Sequence, residues 1–82
     1  SLDEVIIQND FKLFPNPIKN QLYVKNIDAN STIQIFDLLG NQVYNSVANS
    51  DVELPFDYPN GAYLVKVTGK KVSESHLMLK QE

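Results

Sequence analysis

The sequence predicts an all-β chain folded as an immunoglobulin-like antiparallel β-sandwich of about seven strands. Three observations lead to this. Apolar residues alternate with polar ones over short runs, as in Leu22-Tyr23-Val24, Ile33-Gln34-Ile35 and Tyr63 to Val67, which is the period of a half-buried strand. Clusters of Gly, Pro, Asn, Asp and Ser separate these runs, at the roughly ten-residue spacing of a sandwich. No stretch shows the 3.6-residue period of a helix of usable length.

The elements follow in chain order. Residues 1–10, with Val5-Ile6-Ile7 between polar flanks, are expected to be a linker or a short edge strand, and residues 11–82 the domain proper. Phe11 and Leu13 alternate with Lys12 as a strand. Phe14-Pro15-Asn16-Pro17 ends it in a non-helical corner, because each residue before a proline is driven to extended conformations. Leu22 and Val24 mark a second strand, and Asn26 to Ser31 a polar loop.

Thr32 to Val47, TIQIFDLLGNQVYNSV, organises the chain as a hairpin. Ile33 and Ile35 share one face, with Gln34 and Phe36 opposite. Asp37-Leu38-Leu39-Gly40-Asn41 reverses the chain. Gly40 is expected at positive φ, since glycine alone takes that region without steric cost, while Asp and Asn hydrogen-bond locally. Val43 is expected to resume the buried face, with Gln42 and Tyr44 outside. Val52 and Leu54 form a short strand ended by Pro55. Tyr58-Pro59-Asn60-Gly61 suits a type I turn with Pro59 second and Gly61 fourth. Tyr63, Val65 and Val67 then mark a long strand. Thr68-Gly69-Lys70-Lys71 is a turn, and Val72 to Leu79 the last strand, with Leu77 and Leu79 expected inside. The expected core is Leu22, Val24, Ile33, Ile35, Val43, Leu54, Tyr63, Val65, Leu77 and Leu79.

Composition narrows function. The 82 residues carry net charge −3, and all seven basic residues are lysines. Nucleic-acid binding needs clustered positive charge, so it is not expected. There is no cysteine, hence neither disulfide nor thiol chemistry. No apolar run approaches the roughly 20 residues of a membrane span, and no signal-peptide pattern opens the sequence. His76 is the lone histidine, alternating with apolar residues near the end of the sequence. A catalytic histidine needs a positioned nucleophile or orienting carboxylate, and as a strand residue on an outer face His76 is read as structural or solvated. Asp28, Asp37, Asp51 and Asp57 lie in or beside loops without the alternating spacing of a calcium loop, so they are read as turn caps. Asn30-Ser31-Thr32 matches a glycosylation sequon, a triplet common by chance. The chain is read as a non-enzyme without metal or cofactor. Tyr23, Tyr44 and Phe36 fall opposite the assigned core. They are either a binding platform or ordinary cross-strand packing.

Pro59-Asn60-Gly61-Ala62-Tyr63-Leu64-Val65 fits the pattern Pro-x-Gly-x-Tyr-x-Val at all four defined positions. With Phe14-Pro15-Asn16-Pro17, the arm Ile33 to Gly40 and the lysine-bearing last strand, the sequence resembles the type IX (Por) secretion C-terminal sorting domain, in order, from Phe11 to Gln81. Gly-x-Tyr before a strand is also similar to the tyrosine corner of immunoglobulin-like domains. The resemblance implies a module that ends large secreted proteins of Gram-negative bacteria. Such a module crosses the outer membrane with a covalently fused N-terminal cargo. It is read by a secretion-machinery receptor, then removed by a sortase-like outer-membrane protein that anchors the cargo at the cell surface. The family's motif positions map onto Gly40, Pro59, Gly61, Tyr63, Val65 and Lys80. Gln81-Glu82 after Lys80 departs from the usual ending. The alternative reading is an immunoglobulin- or fibronectin-like accessory module that binds carbohydrate or protein for a secreted parent. Tyr63 is expected to pack at the core edge with its hydroxyl on a backbone group near the preceding turn, since a buried phenol needs a partner.

Overall fold

A computed structural model describes residues 11–82. The expectation for residues 1–10 lies outside the described residues. Seven strands follow in order: β1 Lys12–Phe14, β2 Gln21–Lys25, β3 Ser31–Asp37, β4 Gln42–Ala48, β5 Val52–Pro55, β6 Gly61–Thr68 and β7 Ser73–Lys80. They form two antiparallel sheets, β1-β2-β5 and β4-β3-β6-β7. The expected all-β sandwich is what the chain adopts.

Alternation explains which face each strand buries. Leu22 and Val24 of β2, Ile33 and Ile35 of β3, Leu54 of β5, and Tyr63, Val65 and Val67 of β6 all lie in one core between the sheets. Register fixes their depth. Ile35 sits opposite Val65 in β6 and opposite Tyr44 in β4, so it occupies the middle of the larger sheet. Ile18 and Phe56, in loops whose sequence has no period, are also fully buried. They plug one end of the core, and the Phe56 amide is tied to the Asn20 carbonyl at 3.0 Å.

The structure corrects three sequence-based placements. Leu77 and Leu79 are exposed, whereas Met78 and Lys80 point inward. Leu77-Met78-Leu79 is apolar at every position, so alternation alone cannot set its phase. Pairing with β6 sets it, placing Met78 opposite Tyr63 and Lys80 opposite Gly61. Second, the β3–β4 register shifts between Ile35 and Phe36. One extra residue in β4 is a β-bulge. It leaves Val43 only half-buried and turns Tyr44 toward the core, opposite Ile35. Third, Tyr58-Pro59-Asn60-Gly61 is a bend rather than a hydrogen-bonded turn. Tyr23 does remain outside, stacked on Phe14 at 5.1 Å as cross-strand packing on the smaller sheet.

The strand directions give the sandwich two distinct ends. One end gathers the loop between β1 and β2, the β3–β4 turn, the β5–β6 bend and the residues after β7. The other gathers residues 26–30, 49–51 and 69–72, cross-tied where the Asp28 carboxylate accepts the amides of Lys71 and Val72 at 2.5 and 3.1 Å. β1 runs from Lys12, opposite Lys25, toward Phe14, opposite Tyr23. β1 therefore begins at this second end.

Candidate functional site

The β3–β4 turn is built on one carboxylate. Asp37 accepts the amides of Leu39 and Asn41, each at 2.9 Å, and the Asn41 side-chain amide at 3.3 Å. Its own amide donates to the Asn41 carbonyl at 2.9 Å, and its carbonyl accepts the Gly40 amide at 3.0 Å. These donors, the Asn41 amide foremost, stabilise the ionised form and make the Asp37 carboxyl more acidic than an ordinary aspartate. Gly40 has φ +88°, as expected. The turn closes so tightly that Leu38 and Leu39 face outward, 73% and 86% exposed.

Beside it, Asp37 pairs across the sheet with Tyr63. The Tyr63 hydroxyl donates to the Pro59 carbonyl at 2.6 Å, which is the expected backbone partner and the geometry of a tyrosine corner. Its ring meets Phe56 edge-to-face at 5.1 Å, and Phe56 meets Tyr58 likewise at 4.8 Å. Burial, and secondarily the charge on Asp37, raises the Tyr63 phenol above its ordinary value. Gly61 has φ +152°, and nothing lies within 4 Å of where a Cβ would sit. Glycine is therefore required there by backbone conformation rather than by a close approach.

The C-terminal residues are stitched to this end. Lys80 is 3% exposed, and its ammonium donates to the Tyr58 carbonyl at 2.8 Å and meets a Glu82 carboxylate oxygen at 3.4 Å. The Glu82 amide donates to Asn60 Oδ1 at 3.1 Å. Ile18 bridges Lys80 in parallel: its amide donates to the Leu79 carbonyl at 2.6 Å, and its carbonyl accepts the Gln81 amide at 2.9 Å. Asn16 Oδ1 accepts the Leu79 amide at 3.1 Å. The ending that departs from the family pattern is thus itself anchored.

Of the sequence-derived site residues, Gly40, Pro59, Gly61, Tyr63 and Lys80 converge on this end. Val65 sits deeper, fully buried opposite Ile35 and His76. Tyr63, Val65 and Lys80 are inaccessible to a large partner. Sequence reasoning missed Ile18 and Phe56, whose signal was a lone large apolar residue in a proline-rich loop. His76 pairs with Glu74 at 2.8 Å and stacks on Phe11. Among the described residues no group of three or more His, Cys, Asp or Glu is placed to hold a metal ion.

The family model described as the secretion system C-terminal sorting domain matches residues 12–81. The chain belongs to this family. It is similar to an endo-acting ulvan lyase of Formosa agariphila, with 31% identity over 84 residues, covering 96% of this chain and 16% of the lyase. It is also similar in fold to part of PorZ, an essential surface component of the type IX secretion system of Porphyromonas gingivalis. That match has a TM-score of 0.71 and 19% identity, and covers 89% of this chain and 12% of PorZ. The chain thus spans a small fraction of each protein it matches. As a sorting domain it serves secretion across the outer membrane of a Gram-negative bacterium, to the cell surface or beyond. The family is a sorting-signal family rather than a catalytic one, and it does not favour the accessory binding-module reading.

Proposed function

We propose that this domain acts as the C-terminal sorting signal of a larger secreted protein, and that Gly40, Pro59, Gly61, Tyr63, Val65 and Lys80 act by securing its shape. The observation that carries the second statement is burial. Tyr63, Val65 and Lys80 are at most 5% exposed, and the hydrogen bonds of Tyr63 and Lys80 go to the bend between β5 and β6. A receptor cannot grip side chains it cannot reach. It can recognise the surface that they hold in place. On this reading residues 1–10 are the linker to an N-terminal cargo. A secretion receptor engages the folded domain, and a sortase-like outer-membrane protein then separates it from the cargo and anchors the cargo at the surface.

A transplant tests the reading. A periplasmic reporter is fused ahead of residues 1–82 and expressed in a bacterium with a type IX system and in its secretion-deficient derivative. The reporter should reach the cell surface or the medium only in the first strain, and only with the domain attached. Equal release with and without the domain would refute it.

A further inference from the structure

The outer face of the four-stranded sheet is divided in two. Toward the end that holds the motif residues, Phe36, Leu64 and Leu77 stand in one cross-strand row, because Phe36 pairs with Leu64 and Leu64 with Leu77. Leu79 flanks this row two residues along β7, and Leu38 overhangs it from the β3–β4 turn. The next row toward the other end is Asn45, Gln34, Lys66 and Ser75, and the one after is Val47, Thr32, Thr68 and Ser73. The face is apolar in one half and mostly polar in the other. A groove of about 530 Å³ runs between Leu38 on one side and Leu77 on the other, floored by Phe36 and Leu64, with Lys66 at its polar edge. Leu77 is 63% exposed and Leu38 73%. Scattered apolar residues on a surface are ordinary, whereas a contiguous apolar patch rimmed by polar residues is the kind of surface that interaction sites use.

We propose that this groove is the surface by which a protein receptor of the secretion machinery holds the domain, through an apolar segment carrying an acidic group toward Lys66. The proposal rests on the sorting reading above and adds the surface that is read. Three observations choose the occupant. β1 begins at the opposite end of the sandwich, so a cargo fused ahead of the domain joins the described residues away from the groove. The apolar half is five side chains, Phe36, Leu38, Leu64, Leu77 and Leu79, well short of the roughly 20–30 residues a side of a stable pair of chains; a contact of this size suits a transient grip. The charge pattern completes the choice. The Asp37 carboxylate at the groove keeps its charge but uses its acceptor capacity on three donors within its own turn, whereas Lys66 makes no ion pair among the described residues and has its donors left for a partner. A lipid surface is disfavoured because the chain carries net charge −3 and Glu82 lies at this same end.

The experiment uses the reporter fused to the whole chain in a type IX-competent bacterium, with the melting temperature of each purified chain measured alongside. Leu77→Glu and Leu77→Ser alter an exposed side chain, so both should melt like the parent. Secretion should fall by roughly tenfold or more, the loss expected on removing one anchor residue of an interface. Lys66→Glu should lower secretion by a few fold, as changes of a rim charge do. Thr68→Glu, on the polar half of the same face, should secrete like the parent. Normal secretion of both Leu77 variants, in a strain where deleting the domain stops secretion, overturns the groove while leaving the sorting reading intact. Secretion that survives deletion of the domain overturns both. Sedimentation velocity and flotation with phosphatidylethanolamine vesicles complete the test. A dimer, or vesicle binding, that Leu77→Glu abolishes would replace the protein receptor with a second copy or a lipid surface and so overturn the proposal.

Discussion

Replacing Lys80 with Met removes the ammonium but keeps most of the stem. The Lys80 ammonium is buried, 2.8 Å from the Tyr58 carbonyl and 3.4 Å from Glu82, whose side chain is 64% exposed. A hydrogen bond from a charged donor in such a place contributes about 1.5–3 kcal/mol, and losing it leaves the half-buried Tyr58 carbonyl without this donor. The ion pair with the solvated Glu82 adds less than about 1 kcal/mol. Lys80→Met should therefore cost about 2 kcal/mol. Lys80→Ala also removes roughly three buried methylenes at about 0.8 kcal/mol each, for a total near 4 kcal/mol. A domain of this size has on the order of 4–12 kcal/mol in all, so the alanine variant is close to unfolding. Equilibrium urea denaturation followed by tyrosine fluorescence reads both. The slope should hold while the midpoint falls by about 1–2 M for Lys80→Met, given a slope of roughly 1–2 kcal/mol/M. Glu82→Gln should barely move it. A Lys80→Met midpoint equal to or above the parent's would refute the reasoning, because the buried charge would then be a net cost that the Tyr58 carbonyl fails to offset.

Ile35→Ala, at the centre of the larger sheet, should cost about 2–5 kcal/mol; an unchanged urea midpoint would contradict its burial between Tyr44 and Val65. Gly40→Val forces a β-branched residue to φ +88° and should cost about 1–3 kcal/mol, measured the same way. The folded-state Asp37 carboxyl is more acidic than its ordinary 3.8. Its stabilisation is therefore complete above that value and fades as pH falls through the depressed one. The stability gap between the parent and Asp37→Asn should be widest near neutral pH and shrink below about pH 4; a gap independent of pH would show that the turn does not depend on the charge.

The fold was legible wherever polar and apolar residues alternate. β2, β3 and β6 disclosed their inward faces through Leu22, Val24, Ile33, Ile35, Tyr63, Val65 and Val67. The turn at Gly40 was legible for the same local reason: the Asp-to-Asn spacing and the glycine are chemistry within five residues. β7 was not, because Leu77-Met78-Leu79 has no period, and only its pairing with β6 decides that Met78 goes in. Nor was the bulge that turns Tyr44 inward, since an extra residue in one strand is defined by its partner's register. Lys80 was legible as a motif position but not as a buried one. A lysine goes inside only where a carbonyl such as that of Tyr58 waits for it, and that carbonyl lies 22 positions earlier in the chain. The apolar groove was hidden for a related reason: its residues come from three strands and become neighbours only through register.

The central claim is that the motif residues fold the domain and the machinery reads the resulting surface. The most direct measurement pairs melting temperature with cargo secretion for Tyr63→Phe and Gly61→Val on the same fusion. Tyr63→Phe removes the 2.6 Å bond to the Pro59 carbonyl, and Gly61→Val strains a backbone at φ +152°. The account predicts that stability and secretion fall together in both variants, with the greater loss of each in whichever variant melts lower. Secretion lost from a variant that melts like the parent would contradict it, and would make the motif itself the contact surface.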